Sequence, residues 1–302
     1  MGGWGFMKKC LVLAAVAAFA FVLLPESAYA WGPGVHISIA EWLLSNLSIL
    51  PASVAHTIAT HKDAFKYGAL SADIFIGKGS TVVPGHSHNW ETGLTLLQNV
   101  QSPKLRSYAY GYLSHLAADV VAHNNYVPSL MSGAPTSGKF GHVYIEAQAD
   151  RMVRWNSNSV RGLFKIPCTD HDCELLAATN KNKSGFAIRK QVFRSSVALC
   201  GGYPWKTSLK LIHHTMPGAA DRKYLRSMID ASVRSVVNIL SKQDKSAVIG
   251  VDPIGATALA DSKGMCAGTP VLPRRNPFPL VFPLDKRVST LPELRAAHRI
   301  VL

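Results

Sequence analysis

Acidic residues are scarce in this chain. Eighteen Asp and Glu stand against 32 Lys and Arg in 302 residues, a formal charge of +14 at pH 7. A field of that sign disfavours cationic partners and steers anionic ones, phospholipid surfaces or nucleic acid, while leaving the fold undetermined. Cysteine is sparse as well, at five residues, and Cys10 lies ahead of the apolar run it would have to follow, which argues against a lipoprotein anchor. Long apolar runs are missing apart from residues 11–24, and that one is short for a membrane span. Period-two alternation is scarce throughout and no internal repeat is evident, which argues against sheet-built and solenoid architectures.

What is present at the N-terminus is an export signature. Lys8 and Lys9 precede the apolar run, and Ala28-Tyr29-Ala30 supplies the small-x-small pattern that signal peptidase reads, with Met7 an alternative start. Residues 1–30 are therefore expected to be a signal peptide, leaving a periplasmic or secreted chain that begins at Trp31. Cleavage removes two positive charges and one negative, so the mature protein stays strongly basic. The four cysteines left, Cys168, Cys173, Cys200 and Cys266, are expected to form two disulfides in an oxidising compartment, with three connectivities open; one of them clasps the short loop between Cys168 and Cys173 and leaves Cys200 to pair with Cys266.

Apolar residues recur at helical spacing over residues 36–50, 53–66, 104–130, 142–153, 188–199 and 224–240, so the fold is expected to be all-α. Gly- and Pro-rich stretches at 77–85 and 131–141 separate these helices. Residues 31–250 read as one helical domain. Residues 251–302 read as a Pro-rich segment packing on it, extended over 252–283 and closed by a short helix at 291–300. No room remains at the C-terminus for a sizeable β-sandwich.

Histidine, aspartate and glutamate suit zinc, provided their spacing lets them converge. On a regular helix His115, Asp119 and His123 fall on one face, each step turning about 40° and rising about 6 Å. His115 and His123 are then too far apart to share an ion, and Asp119, one turn from each, is placed to bridge neighbouring ions. His142 and Glu146 repeat the spacing on a second helix, where Glu146, Asp150 and Arg154 are equally suited to a surface ladder. The helix around His115 is otherwise apolar and small, and a buried Asp119 is costly unless paired or bound to a cation. His213-His214 reads as structural or exposed. None of the candidate ligands is a thiolate, which favours open catalytic sites over closed structural ones.

The order Trp31-Gly-Pro-Gly-Val-His36, Asp73, His86-Ser-His88, His115-x3-Asp119-x3-His123 and His142-x3-Glu146 resembles the zinc-dependent phospholipase C family, which shares its metal scaffold with the S1/P1 nucleases. The likeness runs from Trp31 to about Arg154. It implies two to three zinc ions: one held by the freed amine and carbonyl of Trp31 with His36 and Asp119, one by Asp73, His88, His115 and Asp119, and one by His123, His142 and Glu146. Asp73 would orient the attacking water or accept its proton, and His86 is the fallback for His88. The Asp119–His123 spacing is shorter than in the best-known phospholipases. The implied activity is hydrolysis of glycerophospholipids at a membrane surface, with no obligate protein partner. A single-strand nuclease and a non-catalytic zinc-stabilised binding protein are the other readings, and Trp42, Trp90, Tyr126, Tyr144 and Trp155 are available to grip either bases or acyl chains.

Overall fold

The computed structural model describes residues 31–75, 85–132, 139–165, 169–181, 183, 185–211, 217–266, 281–295 and 300–302. The signal segment, Cys168, His213-His214 and the prolines between 267 and 280 lie outside the described residues. Within them there is no strand, and the helices follow the apolar periodicity. In chain order they are α1 (Pro33–Leu44), α2 (Ala52–Thr60), α3 (Lys62–Ser71), α4 (Trp90–Asn99), α5 (Pro103–Val121), α6 (Val127–Met131), α7 (Lys139–Met152), α8 (Ser157–Leu163), α9 (Asp170–Ala178), α10 (Phe186–Cys200), α11 (Tyr203–Leu211), α12 (Arg222–Lys242), α13 (Ala256–Cys266) and α14 (Lys286–Ser289).

The fold is built around α5. Its N-terminus is set by Ser102, whose hydroxyl accepts from the Leu105 amide at 3.1 Å, with Pro103 at the first helical position. Every residue from Ser107 to Val121 is buried, so the helix has no solvent face, as expected of a central helix. α1, α2, α3, α4, α9 and α12 all pack on it. α3 comes closest: a Cβ on Gly68 would lie 2.0 Å from the Tyr108 carbonyl, and one on Gly111 would lie 2.0 Å from that of Phe65. Two glycines facing each other let the backbones touch and bring the end of α3, which leads to Asp73, against the His115–Asp119 face.

Four expectations are corrected. The stretch at 53–66 is two helices, because His61 (φ −125°, ψ 52°) breaks the first and its carbonyl accepts from the Ser107 hydroxyl at 3.0 Å. Residues 252–283 are not uniformly extended, since they include α13; of the helix expected at 291–300, residues 291–295 form none and 296–299 lie outside the described residues, so the last helical turn among the described residues is α14, where Asp285 caps the Arg287 amide at 2.8 Å. Cys173 and Cys200 are free thiols, so neither expected bridge is formed. The intended clasp is replaced by the first turn of α9, closed by the Thr169–Asp172 capping box. Burial pushes the Cys200 thiol up to about 12, a poor nucleophile for exchange.

Candidate metal centre

Four elements converge on one buried point: α1 brings His36, the 3-10 turn Ala72–Ile74 after α3 brings Asp73, the loop before α4 brings His88, and α5 brings His115 and Asp119. Asp119 faces two ways. Its Oδ1 lies 3.0 Å from His36 Nε2, while its Oδ2 lies 3.1 Å from His115 Nε2 and 3.4 Å from His88 Nε2. Asp73 Oδ1 approaches His88 Nε2 at 3.2 Å and His115 Nε2 at 3.6 Å. The Nε2 atoms of His88 and His115 are themselves only 3.1 Å apart. His115 Nδ1 donates to the Ala69 carbonyl at 3.0 Å, which fixes the tautomer and turns the Nε2 lone pair inward.

A further group lies where α5 stops being a regular helix. Residues Ala122–Tyr126 form a π-helical turn, and His123 sits in it. The wider turn swings His123 away from the straight His115–Asp119 line expected from four-residue spacing and towards α7. There the ligand atoms of His123, His142 and Glu146 all fall within 4.8 Å of one another, with His142 Nε2 2.7 Å from Glu146 Oε1. A loop from the C-terminal segment holds the turn in place: the Pro253 carbonyl accepts from His123 Nδ1 at 2.7 Å, and Asn124 donates to the Asp252 carbonyl at 2.7 Å. Gly255, at φ +64°, lets that loop lie flat, since a Cβ there would stand 2.4 Å from the His123 carbonyl. Gly255→Ala is expected to weaken zinc binding at the His123 group by about 10- to 100-fold, read as loss of one zinc equivalent on competitive titration with the rest retained; unchanged stoichiometry and affinity would sink this role.

Burial dominates the electrostatics. It pulls the His123 imidazole down to about 4, so the ring is neutral with a lone pair to give. It also lowers His36, against the pull of Asp119. For His88 burial acts downward too, but the Asp119 and Asp73 carboxylates outweigh it and raise the ring to about 9. Burial would raise Asp119, yet His115 and His36 hold it well below the usual carboxylate range. Glu146 goes the other way, pushed well above its ordinary value by burial and then by Asp73, Asp119 and Asp150.

The donor chemistry fits zinc. His36 Nε2, Asp73 Oδ2, both Asp119 oxygens, His123 Nε2 and Glu146 Oε1 are buried with no hydrogen-bond partner, although nitrogen and oxygen approach within about 3 Å. Several buried carboxylates left like this cost several kcal/mol unless a cation meets them. Three His/Asp/Glu groups can each hold an ion: His36 with His115 and Asp119, Asp73 with His88 and His115, and His123 with His142 and Glu146. His88 joins a group. His86 instead folds back, its Nδ1 accepting from the His88 amide at 3.0 Å and its carbonyl from Thr92 at 2.9 Å.

Trp31 opens the described chain beside this site. Its indole is buried, donates to the Ala118 carbonyl at 3.1 Å and to Ser232 at 3.0 Å, and packs on Tyr126 with centroids 4.7 Å apart. Asp150 is the residue that sequence reasoning misplaced. It is buried rather than part of a surface ladder, and its two oxygens accept from the Gly34 and Val35 amides at 2.9 Å each. The signal was its spacing, one turn beyond Glu146 on the ligand face of α7.

Residues 35–189 match the family model described as zinc dependent phospholipase C, and no curated protein and no solved structure matches the chain. The matched stretch is half of the sequence and carries every histidine and carboxylate of the three groups, so the ligand chemistry and the family likeness fall on the same residues. The chain belongs to the zinc-dependent phospholipase C family of phosphodiester-hydrolysing enzymes.

Proposed function

We propose that this enzyme is exported, begins at Trp31 after cleavage, and hydrolyses glycerophospholipids to diacylglycerol and a phosphorylated headgroup. The observation that carries the reading is the sharing of residues between groups: His115 belongs to two of them, and Asp119 turns one oxygen to His36 and the other to His88 and His115. Adjacent sites of this kind would suit a phosphodiester, whose two non-bridging oxygens carry its negative charge. Zinc held by these residues would supply Lewis-acid polarisation and bring the pKa of water towards neutrality.

The ligands assigned to this work are Trp31, His36, Asp73, His88, His115, Asp119, His123, His142 and Glu146. Asp73 has the catalytic role: Oδ1 faces the histidines, and Oδ2, buried and without a hydrogen-bond partner, orients the attacking water and takes its proton. Water oxygen bonds to phosphorus as the bond to the glycerol oxygen breaks; that oxygen takes a proton from solvent and leaves as the diacylglycerol hydroxyl, and Asp73 returns the proton it accepted to solvent. Lipid is favoured over single-stranded nucleic acid because the family model matched by residues 35–189 is that of a phospholipase C.

The test is phosphorus-resolved product analysis of the processed protein with mixed phospholipids and with single-stranded nucleic acid. Release of phosphorylated headgroup is expected; release of nucleotides alone would overturn the lipid assignment. The N-terminal ligand has its own test. A chain keeping one extra residue ahead of Trp31 loses the amine at that position, and it is expected to bind one zinc fewer than the processed chain, by metal analysis, while retaining its helical content. Equal zinc content in the two chains would remove Trp31 from the ligand set.

A further inference from the structure

The chain contains no acidic residue between Glu174 and Asp221. That stretch forms α10 and α11, and it also carries a concentration of exposed apolar side chains: Ile188 is 70% exposed, Tyr203 82%, Leu211 63% and Val192 44%. Ile188 and Val192 lie one turn apart and share a face of α10, beside exposed Arg189. Exposed Lys183 stands just ahead of the helix. Basic groups interleaved with bulky apolar tips suit one environment, the boundary between anionic headgroups and acyl chains.

The position of this pair in the fold gives the surface a purpose. Phe186 at the start of α10 packs on Phe75, two residues beyond Asp73, with ring centroids 5.4 Å apart. Near the end of α11 the Leu209 carbonyl accepts from Gln148 at 2.8 Å, and Gln148 lies two residues beyond Glu146 on α7. The two helices are thus anchored to the segments that carry Asp73 on one side and Glu146 on the other.

We propose that α10 and α11 form the surface by which the enzyme docks on an anionic phospholipid membrane, with Ile188, Val192, Tyr203 and Leu211 entering the interface and Lys183 and Arg189 meeting the headgroups. The proposal rests on the lipid reading for its purpose, and its test is independent of turnover. The mature protein is sedimented with vesicles of phosphatidylcholine, with and without phosphatidylglycerol. Binding requires the anionic lipid and falls as salt is raised. Ile188→Ser combined with Tyr203→Ser weakens it about 100-fold, and Arg189→Gln about fivefold, while hydrolysis of a soluble short-chain phospholipid is unchanged.

Vesicle binding by these variants equal to that of the parent overturns the surface, as does parent binding indifferent to anionic lipid and salt. Loss of self-association, or of retention on single-stranded nucleic acid, in place of loss of vesicle binding overturns it too, by naming a different occupant. A parent protein that binds vesicles through these residues without cleaving lipid keeps the surface and removes the phospholipase reading; lipid cleavage insensitive to the variants does the reverse.

Discussion

Asp119→Asn is expected to release more than one zinc equivalent and to lower phosphodiester turnover on the order of a thousandfold. The two carboxylate oxygens face different histidines, Oδ1 towards His36 and Oδ2 towards His115 and His88. Asparagine keeps one oxygen, and its amide nitrogen has no lone pair to give, so one of the two sides loses its acceptor whichever way the amide is turned. It also removes the negative charge that draws neighbouring cations together. The exchange is isosteric at a fully buried position, so helix content is retained and the loss belongs to the site. Metal analysis of the purified variant beside its parent is the measurement. Zinc content equal to the parent's would show that Asp119 bridges nothing.

The helical fold was legible because a helix buried on one stripe or all round announces itself in apolar spacing: α12 falls close to its expected bounds, and the stretch expected at 104–130 is the continuous run of α5, the π turn and α6. His115 and Asp119 were legible for the same reason: a four-residue step on a regular helix places two side chains on one face whatever surrounds them. His123 was legible as a residue and not as a geometry. The π turn at Ala122–Tyr126 has no signal in local spacing; it is held by hydrogen bonds from His123 and Asn124 to a loop more than a hundred residues downstream. The break at His61 escaped for a similar reason, since its carbonyl is claimed by Ser107 on another helix.

Asp150 teaches the same lesson with a larger consequence. The helix α1 begins at Pro33 behind Gly32, a residue with no side chain to cap it, and the missing cap comes from across the fold. Asp150 on α7 takes the Gly34 and Val35 amides, one on each oxygen. It stands on the helix that carries His142 and Glu146, so it ties the Trp31–His36 segment to the third ligand group. Burial outweighs these two hydrogen bonds and raises its carboxyl to about 7. Asp150→Ala leaves two buried amides unpaired, a loss of about 1–3 kcal/mol for each. It frees the start of α1, and zinc affinity at the His36 group is expected to drop about 10- to 100-fold, as for other residues that orient ligands. Asp150→Asn, with one acceptor oxygen in place of two, falls between parent and alanine in both thermal midpoint and zinc affinity. The measurement is zinc titration against a competing chelator, followed alongside thermal unfolding of the metal-free chains. A variant that is destabilised while binding every zinc as tightly as the parent would make Asp150 a cap and nothing more; a selective loss at the His36 group would make it the residue that sets the geometry of the N-terminal ligands.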